Sequence, residues 1–270
     1  MTRLHPRRWV TTAGGPWPVS VLHRSGRLRG GSRTATATTP TRPAPSASRS
    51  RGRARGLDFL VVTEDDTVSH VPHLEPSRGD PVLVPGMGWS FGYDVPIDCL
   101  EVWHGPTRSF NAVTLDAWDG QLRSGRRVVA VGGGDHHEGL DDWLATPVVC
   151  VRAKARTVDG VLDAIRGGHV VVAGPGAPWI ELEVAHGGRI YGPGDVAPSG
   201  PVDVRVRGEL PDGVGARLVT ASGEVDGGEL DLARHGYVRA EVRRDGDDDP
   251  FPLAVLTNPV RACRAGVAES

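Results

Sequence analysis

The run Val128-Val129-Ala130-Val131-Gly132-Gly133-Gly134-Asp135-His136-His137 constrains this chain more than any other stretch. Four consecutive apolar residues read as a buried strand, and the strand empties through three glycines into a carboxylate and two imidazoles. α/β proteins put chemistry at such strand ends, because glycine lets backbone and ligand approach closely while the strand holds the next side chains rigidly. Asp135 and His137, spaced i and i+2, leave an extended chain on the same side and are placed to grip one metal ion or two adjacent ones. Asp-x-His is a common pairing, so spacing alone leaves two readings open, a metal site and a surface turn carrying ordinary histidines.

The rest of the chain supplies strands and short helices around this run. Leu57, Phe59, Leu60, Val61 and Val62 are nearly continuous, the pattern of a strand covered on both faces, and Val82-Leu83-Val84 is a second short one. Asp98 to Trp103 predicts a third. Asn111 is suited to cap a helix on which Leu115, Trp118 and Leu122 share one face, and Gly125 ends it. Thr157 is the natural N-cap of another short helix, with Val158, Val161, Leu162 and Ile165 on one side and Gly167-Gly168 closing it. Beyond residue 176 the period changes to two. Ile180, Leu182 and Val184, then Val202, Val204 and Val206, then Val238, Ala240 and Val242 alternate with charged residues, which predicts an antiparallel sheet or small sandwich.

Charge separates the two ends of the chain. Residues 1 to 57 hold 12 Arg and no acid, whereas the remainder carries 19 basic residues against all 33 acidic ones, so a head at +12 precedes a body at −14. The Thr/Ala/Pro/Ser/Arg tract from Gly31 to Ser50 shows no periodicity in its apolar residues and is disordered by composition. Three readings compete for residues 1 to 56: a transit peptide, a basic nucleic-acid-binding tail, and translation in a shifted frame. Nucleic acid is the weakest, because Trp9 and Trp17 are the segment's only aromatics and both lie outside its Arg-dense part. Cys99, Cys150 and Cys263 are isolated and odd in number, which argues against a disulfide framework and fits a reducing cytoplasm. No apolar run is long enough to span a bilayer.

Taken together, Gly132-Gly133-Gly134-Asp135-His136-His137 resembles the Gly-Gly-Ser-Asp-x-His signature of the PHP (polymerase and histidinol phosphatase) superfamily, in particular its CehA/McbA-like metallohydrolases. Leu57-Asp58-Phe59-Leu60-Val61-Val62-Thr63, Val82-Leu83-Val84-Pro85-Gly86, Leu100-Glu101-Val102-Trp103-His104-Gly105-Pro106 and Leu256-Thr257-Asn258-Pro259 resemble the same family. The resemblance implies that Asp135 and His137 are metal ligands. It also implies a ligand at Asp65, which stands where the family's turn Thr-Asp/Glu-His-Asn/Asp-Thr has its histidine. His136 has no counterpart among the family's ligands and is read as supporting them. Divalent ions (Mn, Zn or Fe) are the implied cofactors, and a small ester is the implied substrate.

The same resemblance implies an α/β fold, an incomplete distorted β/α barrel of PHP type followed by a small antiparallel β domain. Residues 1–56 would be a disordered basic segment, 57–175 the partial metallohydrolase domain, 176–262 the β domain and 263–270 a tail. The barrel is incomplete because Gly88 stands where the family has a Glu after Pro-Gly, and because the His and the Asn-His-Pro turn of its middle strands are missing. Two functions follow, a metal-dependent hydrolase of phosphoesters or related esters and a non-catalytic remnant of such an enzyme. The shifted-frame reading has a concrete form. Thr34-Ala35-Thr36-Ala37-Thr38-Thr39-Pro40 is compatible with a GC-rich coding string that yields Asp-Gly-Asp-His when read two bases later, the kind of sequence that follows the family's first His-x-His.

Overall fold

A computed structural model describes residues 17–22, 53–54, 57–62, 82–85, 97–105, 108–134, 146–244 and 251–263. In chain order the first strands are β1 (Trp17–Leu22), β2 (Phe59–Val62), β3 (Val82–Pro85) and β4 (Cys99–His104), followed by helix α1 (Arg108–Arg123) and strands β5 (Val129–Gly133) and β6 (Val148–Val151). Helix α2 (Val158–Arg166) leads to β7 (Val170–Ala173), β8 (Glu181–His186), β9 (Arg189–Tyr191), β10 (Val196–Ala197), β11 (Pro201–Arg207), β12 (Val214–Thr220), β13 (Gly223–Val225) and β14 (Gly228–Asp231). The short helix α3 (Leu232–His235) and strands β15 (Tyr237–Arg244), β16 (Leu253–Thr257) and β17 (Val260–Ala262) are the last elements among the described residues.

These elements stack in three layers. The middle layer is an eleven-stranded mixed sheet whose main path is β10-β17-β15-β16-β7-β6-β1-β2-β3, with β12 on the other edge of β15 and β13 beyond it. The four-stranded antiparallel sheet β14-β11-β8-β9 covers one face. The parallel pair β4-β5, with α1 and α2, covers the other. Side-chain alternation divides the core accordingly. Val149, Val151, Val170, Val172, Leu253 and Leu256 face Val102, Trp118, Leu122 and Val161, whereas Cys150, Val171, Val238, Ala240 and Val242 face Leu182, Val184, Val202 and Val204.

The barrel expectation is overturned. The described residues form a largely β structure with few helices and no closed barrel. Within the main sheet β1, β2 and β3 run parallel and the short β10 pairs in parallel with β17, but from β1 to β6, β7, β16, β15 and β17 every pairing is antiparallel. Beyond residue 176 the strands divide: β8, β9, β11 and β14 form the separate antiparallel sheet, whereas β15 and β16 join the middle sheet through the pairing of β16 with β7. The physical reason is that burial on both faces, which makes a strand read as continuous apolar residues, does not require parallel neighbours. Val170-Val171-Val172 and the fully buried β16 have a layer above and a layer below in an antiparallel setting.

Two further expectations change. Residues 17–22, inside the segment read as disordered, form β1 between β2 and β6; the tract 31–50 lies outside the described residues. Helix α1 starts at Arg108, so Asn111 is within it and not at its cap. The face made by Leu115, Trp118 and Leu122 is buried as read. Thr157 caps α2 with extended backbone, its side chain accepting from the Gly160 N–H at 3.1 Å.

Burial pushes the Cys150 thiol up to about 12, and burial together with Asp98 pushes Cys99 up to about 11. Unfolded thiols ionise near 9.0, so the folded chain holds protons that the unfolded chain has released. The stability these thiols contribute is complete below that value and is lost as pH rises toward 11 to 12. Each should cost about 1.4 kcal/mol per pH unit within its window. Urea denaturation at pH 8.5, 9.5 and 10.5 should show this slope, and Cys150→Ala should remove its share.

Candidate functional site

The strand ends that carry the sequence signals meet at one rim. β1, β2 and β3 are parallel, and two antiparallel steps through β6 give β7 the same sense as β1. β5 lies over the middle sheet in that sense too. The Asn258 side chain joins Ala130 to Val170, and a Cβ on Gly132 would lie 2.6 Å from Val172 Cγ1, so residues 130 and 132 advance alongside 170 and 172. β4 pairs in parallel with β5. The C-terminal ends of β1 to β5 therefore point the same way, the end at which open α/β sheets present ligand sites.

Asn258 fixes the height of β5 in this arrangement. β5 pairs only with β4 among the described residues, leaving its other edge without a strand. The Asn258 carboxamide fills that edge as a peptide group would. Its Oδ1 accepts from the Ala130 N–H at 2.8 Å, and its Nδ2 donates to the carbonyls of Ala130 at 2.9 Å and Val170 at 3.1 Å. Trp118 adds a second anchor by donating its indole N–H to the Val128 carbonyl at 2.9 Å.

The glycines after the strand have a packing reason. A Cβ on Gly132 would also meet Pro147 Cγ at 3.1 Å and the Trp103 carbonyl at 3.2 Å. Here the close approach that glycine permits is to β7 and the β4 backbone, where the sequence suggested a ligand. Gly132→Ala should destabilise by about 1–3 kcal/mol through overpacking, measured as a drop in the urea midpoint; an unchanged midpoint would show that Val172 can yield.

At the end of β4 an irregularity does chemical work. The register with β5 slips between Glu101 and Trp103, so Glu101 faces Val131 while Trp103 faces Gly132. Residues three apart on a regular strand point to opposite faces; the bulge returns them to one side. Glu101 Oε2 and His104 Nδ1 consequently sit 3.1 Å apart. The His104 N–H donates to Asn111 Oδ1 at 2.7 Å, Asn111 Nδ2 donates to the Gly105 carbonyl at 3.4 Å, and Gly105 N–H donates to the Gly133 carbonyl at 2.7 Å. Gly105 holds φ 47°, a left-handed conformation that glycine tolerates without strain.

No family model, curated protein or solved structure matches the chain. The likeness to the PHP superfamily rests on the quoted motifs alone.

The residues read as ligands, Asp65, Asp135 and His137, and the supporting His136, all lie outside the described residues. Among the described residues no group of three or more His, Cys, Asp or Glu side chains is placed to hold a metal ion. The pairing of Glu101 with His104 was missed by sequence reading, because both lie in a stretch quoted for its likeness and nothing in the residue order announces a bulge.

A second polar feature sits away from the rim. Arg239 of β15, buried between the middle sheet and α1, donates through Nη2 to both carboxylate oxygens of Asp119 at 2.8 and 2.9 Å and through Nη1 to Glu241. Arg243 takes the other oxygen of Glu241 at 2.7 Å, and the Arg239 guanidinium lies 5.1 Å from the Trp118 ring centroid. Burial works against ionisation of Glu241, but Arg239 and Arg243 outweigh it and hold the carboxyl below its usual value. Asp119 goes the other way, raised because burial outweighs the pull of Arg239. With every charge in this group buried or half-buried and paired, it reads as an internal clamp between α1 and β15.

Proposed function

We propose that the protein is a metal-dependent hydrolase of PHP-type chemistry acting on phosphoesters or related small esters. Asp135 and His137, with Asp65 as a third ligand and His136 supporting them, would hold the divalent ions at the rim. The observation that carries this reading is the common sense of β1 to β5. Asp135 follows the last residue of β5 by two positions and Asp65 follows the last residue of β2 by three, so both leave strands that end on the same side. Carboxylate and imidazole together suit Mn, Zn or Fe. Bound there, such an ion supplies an activated water and a Lewis acid for the ester oxygen.

The test is direct. Full-length protein equilibrated with Mn²⁺, Zn²⁺ or Fe²⁺ and then desalted should retain metal and hydrolyse p-nitrophenyl phosphate, and Asp135→Asn and His137→Gln should lose both. Absence of retained metal together with absence of metal-stimulated turnover would sink the proposal.

One observation favours the second reading, a non-catalytic remnant. The described strands make an open mixed sheet, and no three-ligand group occurs among them. In that case a metal ion either raises the melting temperature without any turnover, since an ion that prefers the folded state must stabilise it, or does nothing at all. No described helix is long and apolar enough to cross a membrane.

A further inference from the structure

We propose that a depression on the outer face of the four-stranded sheet, at the turn that follows β8, binds a small alkylguanidinium or alkylammonium compound. The inference is independent of the metal-site reading above, because every residue in it lies on the four-stranded sheet and its turn. The depression has a volume of about 450 Å³ and is lined by Ala185, His186, Gly187, Pro201, Asp203 and Glu229, with Val202 at its base. Pockets for small ligands run from about 300 to 1,000 Å³. Strand register explains why it exists. Ile190 pairs with Ala185, Ala185 with Asp203 and Asp203 with Glu229, so four side chains form one row across β9, β8, β11 and β14. Val202 and Val204 are buried in the inner face, which turns this row outward. Ile190, 60 % exposed, stands at one end and two carboxylates at the other, and between them the single methyl of Ala185 leaves the row low.

The polar side chains that line the depression are acceptors. His186 Nδ1 lies 3.0 Å from the Pro201 carbonyl, and since a carbonyl only accepts, Nδ1 carries the proton of the neutral ring and Nε2 its lone pair. Asp203 and Glu229 add carboxylates. Other acids on this face are matched by arginines, Glu183 by Arg207 and Asp203 itself by Arg205. Glu229 forms no hydrogen bond or ion pair with any described residue, although it stands directly opposite Asp203, where like charges destabilise a sheet. A cation laid between the two carboxylates removes that penalty. No three His, Cys, Asp or Glu side chains among the described residues are placed to hold a metal ion, so these acceptors suit a wider cation. A guanidinium or ammonium group spans them with its several N–H donors, and its alkyl stem lies along Ala185 toward Ile190.

Calorimetric titration of the full-length protein with agmatine, an alkylguanidine that carries an ammonium at its other end, tests this. Wild type should bind it saturably. Glu229→Gln and Asp203→Asn should each weaken binding by about tenfold or more, the loss that goes with a hydrogen bond between charged groups. Ala185→Leu fills the depression without changing any charge and should abolish binding, which separates a shaped site from general attraction to an acidic surface. Urea midpoints serve as the fold control: Glu229→Gln should be no less stable than wild type because it removes a like-charge pair, and Ala185→Met carries the same test if the Leu variant unfolds early. A wild-type protein that shows no saturable agmatine binding overturns the inference, as does affinity that is unchanged in Glu229→Gln and Ala185→Leu. Uptake of Mg²⁺ by these residues with none of agmatine overturns it as well. Each of these outcomes leaves the proposed function standing, since that is read from metal held at Asp135 and His137.

Discussion

Asn258→Ala should destabilise the protein by about 3–4 kcal/mol. The side chain gives three hydrogen bonds to buried backbone, and its removal leaves the Ala130 N–H and carbonyl without partners on an edge that no strand covers among the described residues. Each orphaned buried group costs about 1–3 kcal/mol. The Val170 carbonyl is spared because it also accepts from the Asn258 backbone N–H at 3.1 Å. Asn258→Asp separates hydrogen bonding from volume: ionised, it keeps the acceptor for Ala130 but turns a negative oxygen toward two carbonyls, so it should cost at least as much at pH 7 and less in acid. Equilibrium urea unfolding reads both, and a loss below about 1 kcal/mol for the alanine variant would show that β5 is held by packing instead.

Arg239→Met should cost about 3–5 kcal/mol, the penalty for leaving buried acids without their cation. Glu241 retains Arg243, but Asp119 loses both bonds of its fork. The triple replacement Arg239→Met, Asp119→Asn, Glu241→Leu should recover at least about 2 kcal/mol of that loss, because an apolar group of similar volume often matches a buried ion pair. Acidity adds a check. The stability from the lowered Glu241 carboxyl is present above its unfolded value of 4.5 and is lost as pH falls through the folded value below it. Protonation also relieves the acids stranded in the variant, so the gap between wild type and Arg239→Met should narrow below about pH 4. A triple variant no more stable than the single one would mean that the network also holds α1 at its required angle.

Local features were readable wherever a short segment decides them. The Thr157 cap, the buried face of α1 and the alternation in β8, β11 and β15 are set within a few residues of themselves. Sheet membership was not readable, because a buried strand looks the same whichever way its neighbours run. Alternation places Arg239 and Glu241 at the charged positions of β15, yet both are buried; they pair with each other, and Asp119 on α1, 120 residues from Arg239, completes the group. At the rim, residue order located the glycine-ended strand but not the bulge that turns Glu101 toward His104, since that depends on the partner strand's register. Asn258 appeared in a quoted motif, yet only the close passage of β5 gives its amide something to bind.

The interleaving of the middle sheet has a consequence for synthesis on the ribosome. Val171 must pair with Thr257 and Val172 with Leu256, so the outer edge of β7 waits, open, while more than eighty further residues are made. The four-stranded sheet can form in that interval from β8, β11 and β14, but its apolar face lacks β15 and β16 to pack against. A chain stopped after residue 175 therefore presents an unpaired edge of Val170-Val171-Val172, the kind of surface that recruits other chains. Nascent protein of that length should depend on a holding chaperone until its last strands emerge.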